Sequence, residues 1–306
     1  MIRQNFSPWA AGALLGLAVS LPSAHAQLPS AEAGGPSFGD INPEQMARMM
    51  NPEEDGPFYM INLIQYREKA VYRDGRETDL TGREADALYS PLEILHDIGA
   101  EVVFMAEVER NMPLPGDGTQ WDRVAIVRYP SRRAFLQMTQ RPDFRAKSVH
   151  KDAGVGKTIV MVSHLIDSLL PEGFVPPKPA HPATADDPPF EMIHVLRYRE
   201  TAQYEDGSEK ATLSGREAMQ KYGAAAGAVA GPLGVYPTAR FEIEGALIGD
   251  GRPWDEVRIN HFPSHATLQK HSESQARVEG QRHRAAALAD TYSMQTLPVL
   301  KMLGRQ

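Results

Sequence analysis

The chain has 306 residues, 42% of them apolar, a formal net charge of −7 and no cysteine. Thiol catalysis, disulfides and cysteine-based metal sites are excluded, and the absence of any basic stripe removes nucleic acid as an expected partner. The length exceeds the usual single domain of roughly 100–200 residues, so two domains are expected.

The chain opens "MIRQNFSPWAAGALLGLAVSLPSAHAQ". Arg3 precedes an apolar run from Trp9 to Val19, and Ala24-His25-Ala26 fits the small-x-small cleavage pattern, so residues 1–26 read as a secretory signal peptide. The run is shorter than the roughly 20 residues a spanning helix needs. The expected mature protein is periplasmic or secreted, with no membrane partner after cleavage. Residues 27–56 read as a flexible leader arm, with "PEQMARMM" as at most a short helix.

Phe58 begins "FYMINLIQY", a β-branched and aromatic run without a breaker, which predicts a buried strand. Asp74-Gly75 predicts a hairpin turn. Thr81-x-x-Glu84 is a capping box that starts a helix, with Ala85, Leu88, Leu92 and Leu95 at helical spacing and Pro91 as a kink. "AEVVFMAEVE" and "RVAIVRY" predict two strands, Ser131 caps a second helix, and "TIVMVSHL" closes the set. This is a first domain over residues 57–170.

Residues 171–189, "PEGFVPPKPAHPATADDPP", form a proline-rich linker of extended polyproline character. The chain then repeats itself over 190–306. "FEMIHVLRY" answers the first strand, "RYRETAQYEDGSEKATLSGREA" answers "QYREKAVYRDGRETDLTGREA", Trp254-Asp255 answers Trp121-Asp122, Pro263-Ser264 answers Pro130-Ser131, and His283 answers His150. An internal duplication follows. Each half reads β-(hairpin)-α-β-β-α-β, which predicts an α+β fold of two tandem ferredoxin-like (βαββαβ) domains paired within the chain.

The run "REKAVYRDGRE…TGREA…WDRVAIVRYPSRRAFLQM…DF…HKDAG" resembles the domain of unknown function family 1330, of the dimeric α/β-barrel superfamily. The resemblance covers about 110 residues in each half. It implies that the two ferredoxin-like sheets pair through their open faces, with ligands between sheet and helices or inside the barrel. The second half has "HRAAALADT" where the first has "HKDAGVGKT". Relatives across the superfamily include monooxygenases, lactone isomerases and proteins without known activity, so the fold selects no reaction.

Strand parity puts Asn62 and Tyr66 on one face of the first strand, matched by His194 and Tyr198. Arg258 and Asn260 share a face of a later strand, and Glu107 and Glu242 match on the strand before it. These residues are the candidate polar cluster of a mainly apolar pocket. Asn62, Tyr66, Glu107, Tyr198, Arg258 and Asn260 are candidate ligand-binding residues, and His194 and Glu242 candidate proton acceptors, imidazole titrating near neutrality. His261, His265, His271 and His283 follow no metal-ligand spacing, so no metal and no cofactor is expected. The readings that follow are a binder of a small, largely apolar molecule, a cofactor-independent oxygenase or isomerase acting on an aromatic or lactone substrate, and an interaction module. Assembly is expected as a monomer with an intrachain pseudo-dimer or as a homo-oligomer.

Overall fold

The computed structural model of the protein describes residues 39–112, 118–166, 173–205 and 212–303. The segment read as a signal peptide, the first part of the expected leader arm, the first two residues of the expected linker and the Asp206-Gly207 pair lie outside them. The strands are β1 (Asp40–Ile41), β2 (Phe58–Tyr66), β3 (Glu101–Asn111), β4 (Arg123–Tyr129), β5 (Val155–Leu165), β6 (Phe190–Tyr198), β7 (Tyr236–Gly249), β8 (Glu256–Phe262) and β9 (Leu288–Lys301). The helices are α1 (Pro43–Met50), α2 (Gly82–Tyr89), α3 (Leu92–Asp97), α4 (Arg132–Gln140), α5 (Pro142–Gly154), α6 (Gly215–Ala230), α7 (His265–Glu273) and α8 (Gln275–Ala287).

The strands form one sheet, in the order β1-β7-β5-β2-β4-β3-β9-β6-β8, and β8 also pairs with β7. Each half keeps a ferredoxin-like order, β5-β2-β4-β3 and β9-β6-β8-β7. The expectation of two tandem ferredoxin-like domains with open sheets is nevertheless wrong. The sheets are joined edge to edge, β3 to β9 and β5 to β7, so that eight strands close into one ring. The β3–β9 seam is antiparallel, from Phe104 opposite Lys301 to Asn111 opposite Met294. The reason is elementary: an open sheet leaves a row of unpaired N–H and C=O groups on each edge strand, and closure satisfies them.

Contacts divide the described residues into two compact units. The first holds the residues up to Val102 with Ile126–Met161 and Ala246–Gly251, and the second holds Val103–Ala125, Val162–Gly245 and the residues from Arg252. In the first, β1 pairs with the end of β7, Asp40 opposite Gly249, and Asn42 caps α1 by accepting from Glu44 N and Gln45 N. Buried Arg132 of α4 donates to the Arg48 carbonyl at 2.9 Å and fixes α1 in place.

Both capping boxes form as the sequence predicts, at Thr81 and Glu84 in the first unit and at Ser214 and Glu217 in the second. The predicted hairpin does not. Gly75 turns the chain at φ +77° and its N–H donates to the Tyr72 carbonyl, but residues 67–81 form no strands. The loop is tied down instead by Ala70 N to Leu80 O, by Val71 N to Ala153 O, and by the Tyr72 hydroxyl at 2.7 Å from His150 Nδ1. The second unit repeats these ties with Ala202 N to Leu213 O, Gln203 N to Ala286 O, and Tyr204 with His283 at 2.7 Å. The recurring histidines therefore fasten the recurring loop. Pro91 does more than kink its helix. It separates α2 from α3, which resets the helical face and leaves Leu88 and Leu92 exposed while Ala85 and Leu95 are buried.

Candidate functional site

The site lies in the second unit, on the face of β6 that the helices cover. Leu196 packs with Ala218 and Met219 of α6 and Ala286 and Ala287 of α8, and Phe190 and Met192 pack with Val235 and Phe262. His194 and Tyr198 share that face by strand alternation. The antiparallel register aligns three rows across β8, β6 and β9: Asn260, Met192 and Gln295; Arg258, His194 and Ser293; Glu256, Leu196 and Thr291.

Glu256 organises one end. Its carboxylate, fully buried, accepts two bonds from Arg240 at 2.7 and 2.8 Å, one from Arg258 and one from the Tyr198 hydroxyl at 3.1 Å. Arg216 stands 3.6 Å away and stacks over the Tyr198 ring. Burial alone would raise the Glu256 pKa, but the bonds from Arg240 and Arg258 outweigh it and hold the group below the usual carboxylate value. Burial and the Glu256 charge push Tyr198 up to about 12, against the pull of Arg258, so its hydroxyl stays protonated and donates.

His194 occupies the middle row. Nδ1 lies 2.6 Å from Ser293 Oγ, which also receives a long contact from Arg284 of α8 at 3.5 Å, and Nε2 has no hydrogen-bond partner among the described residues. Burial, then the charges of Arg284, Arg258 and Arg277, push its pKa down to about 3. The unfolded chain takes up a proton near pH 6.5, whereas the folded one does not until about pH 3. His194 therefore destabilises the fold progressively as pH falls through that window, and has no such effect above it. Its imidazole resonances are expected to show no titration between pH 4.5 and 8 by NMR. A midpoint near 6.5 refutes the burial of this imidazole among three cations.

Arg277, Gln281 and Arg284 recur at i, i+4 and i+7 on α8 and so share one helix face. Arg277 Nε, Gln281 Oε1 and Gln295 Oε1 are buried without a hydrogen-bond partner among the described residues. None of the α8 side chains, nor Glu256, Ser293 or Gln295, was a candidate from sequence. The signals were present: Thr291, Ser293 and Gln295 alternate as polar residues on one face of the closing strand, and the α8 residues keep helical spacing.

The other candidates lie elsewhere. Asn62 and Tyr66 belong to the first unit, where Asn62 donates to the Met60 carbonyl at 3.3 Å and Tyr66 to Asp86 at 2.8 Å. In the second unit Glu107 pairs with Arg123 at 2.7 Å, and Glu242, exposed, faces the buried Glu256 across the β7–β8 register. Asn260 flanks the cluster beside Met192. The histidines go to separate partners: His261 to Glu191, His265 to Asp187 and Glu109, His271 to the Ala226 carbonyl. Among the described residues no three His, Asp or Glu side chains are grouped to hold a metal ion, and no helix is long and apolar enough to cross a membrane.

No family model matches the sequence, and no curated protein matches it. Among solved structures, a protein of unknown function from Rhodopseudomonas palustris is 30% identical over 44% of this chain and 98% of its own, with a TM-score of 0.37. An anthrone oxidase-like protein is 13% identical over 83% of this chain and 98% of its own, at a TM-score of 0.45. A chlorite dismutase variant from Candidatus Nitrospira defluvii is 12% identical over 83% of this chain and 95% of its own, at 0.41. Identities and scores of this size assign no reaction.

Proposed function

We propose that this chain, which belongs to the dimeric α/β-barrel superfamily, binds a small molecule with a largely apolar body on the helix-covered face of β6, β8 and β9. Within that superfamily we place it in the domain of unknown function family 1330, on the twice-written motifs from "REKAVYRDGRE" to "HKDAG". The observation that carries the reading is unfilled polar capacity in a buried setting. Gln295, 2% exposed, makes no side-chain hydrogen bond among the described residues, and Arg277 Nε and Gln281 Oε1 are likewise buried atoms without a partner there. Buried polar groups are normally satisfied, and a ligand is one way to satisfy them. Met192, Leu196 and Met219 supply apolar surface beside them.

Export is part of the proposal and rests on the N-terminal segment alone. The mature protein is expected to begin at Gln27. Native mass spectrometry of protein purified from its own host tests the binding reading. A specific retained small molecule is the expected result, and mass equal to that of the bare chain across independent preparations counts against it.

A second reading, a cofactor-independent oxygenase or isomerase with His194 as proton acceptor, is favoured by one detail. Ser293 fixes Nδ1 and leaves Nε2 open. An imidazole whose pKa lies near 3 is a weak base at neutral pH. The enzyme reading therefore requires a substrate that offsets the surrounding guanidinium charge.

A further inference from the structure

Resting on the binding site just proposed, we infer that the group held there is a carboxylate of a small organic acid, gripped by Arg277 and Arg284 of α8 with Gln281 and Gln295 beside it. The first ground is charge. Arg123, Arg240, Arg252 and Arg258 each hold a carboxylate, namely Glu107, Glu256, Asp290 and Glu256. Arg277 and Arg284 hold none among the described residues, although Arg277 Nε is buried and Arg284 is depressed below its ordinary pKa, by burial first and then by Arg277 and Arg258. Two partly buried cations without a counter-ion repel each other and oppose protonation of His194. A guanidinium fork is matched by the two oxygens of a carboxylate.

The second ground is position on the helix. Arg284 in the last turn of α8 is a normal place for a cation, since the helix dipole favours it there. Arg277 is the third residue of the same helix, where the dipole opposes a positive charge. Helix stability does not account for it.

The third ground is the other half of the chain, an internal control. The tie of Arg67 N to Gly154 O corresponds to that of Arg199 N to Ala287 O, and Tyr72–His150 to Tyr204–His283 (287 − 154 and 283 − 150 both give 133). At that shift Arg277, Ser293 and Gln295 correspond to Phe144, Val160 and Val162, all buried. These three positions are thus apolar in one copy and polar or cationic in the other, whereas Gln281 and Arg284 correspond to Ser148 and Lys151, which are polar in both. The fold is therefore built without polarity at the positions of Arg277, Ser293 and Gln295, and a ligand accounts for it there.

The test is thermal unfolding of the full mature chain at matched ionic strength in chloride, benzoate, acetate, inorganic phosphate or neutral benzamide. Benzoate is expected to raise the midpoint by about 2–4 °C at concentrations well above its Kd, benzamide not at all. The double variant Arg277→Gln, Arg284→Gln is expected to unfold at a higher temperature than the parent in chloride, because repulsion is relieved, and to lose the benzoate response. A response that survives in the double variant, an equal response to benzamide, a response to phosphate in place of benzoate, or none to either carboxylate overturns the proposal. Should the variant fail to fold, the parent protein still decides. A rise in its unfolding midpoint with benzoate at neutral pH that benzamide and phosphate do not reproduce supports the assignment, and its absence sinks it. A neutral molecule retained in native mass spectrometry, with no carboxylate effect, removes this inference and leaves the binding reading standing.

Discussion

Replacing Glu256 by Gln is expected to lower the unfolding free energy by about 3–5 kcal/mol, the range for breaking one partner out of a buried charge cluster. The side chain keeps its size, so packing is barely altered. What changes is that Arg240 loses its bidentate partner, Arg258 loses its carboxylate, and one amide N–H₂ is turned toward guanidinium groups that cannot accept it. The measurement is the urea midpoint at unchanged slope. Glu107→Gln is the comparison: its pair with Arg123 is about a third exposed on the carboxylate side, so a loss of about 1 kcal/mol or less is expected. Equal effects from the two variants, or less than 1 kcal/mol from Glu256→Gln, mean that the buried network is not a structural hub.

The second large effect is expected at Gly215, the glycine of "SGREA". A Cβ there would lie 2.5 Å from the carbonyl oxygens of Ala287 and Arg199 and 2.8 Å from Arg199 N, all backbone atoms that cannot rotate away. The N–H of the same residue donates to the Arg199 carbonyl at 3.0 Å, so the start of α6 is pinned against the end of β6 at glycine distance. Gly82 makes the same approach to Arg67 in the first half. Gly215→Ala is expected to cost about 3 kcal/mol or more, at or beyond the upper end of ordinary overpacking. Gly223→Ala, in the same helix with nothing within 4 Å of the added carbon, is expected instead to stabilise by roughly 0.5–1 kcal/mol. Similar outcomes for the two substitutions would show that close approach does not select the glycine.

Much of the fold was legible because its signals are local. The eight long strands were visible as apolar or alternating runs, and Thr81, Ser131, Ser214 and Ser264 all cap helices where their spacing to the next hydrophobic run predicts. The missing glycines of "HRAAALADT" turned out not to matter, since the Ala287 carbonyl takes the same bond as that of Gly154. A barrel was implied by the family resemblance, but its closure through the strand edges was illegible, because alternation tells which face of β3 or β9 is buried but not which neighbour its edge will take. The site was half legible. Parity put His194, Tyr198 and Arg258 on one face of adjacent strands, where they are found. Glu256 was passed over in favour of its exposed neighbour Glu242. The α8 residues were passed over because a polar face on a helix ordinarily means water, and only the packed structure turns that face toward β9.

Closure of the strand ring within one polypeptide has a consequence for inheritance. In an assembly of two identical chains every substitution appears twice, so a residue that improves one site must be tolerated at the other. Here His194 could be acquired without disturbing Asn62, and arginine at 277 without displacing Phe144. One copy is thus free to carry polar residues at 277, 293 and 295 while the other holds Phe144, Val160 and Val162. Titration is accordingly expected to saturate at one ligand per chain, without cooperativity.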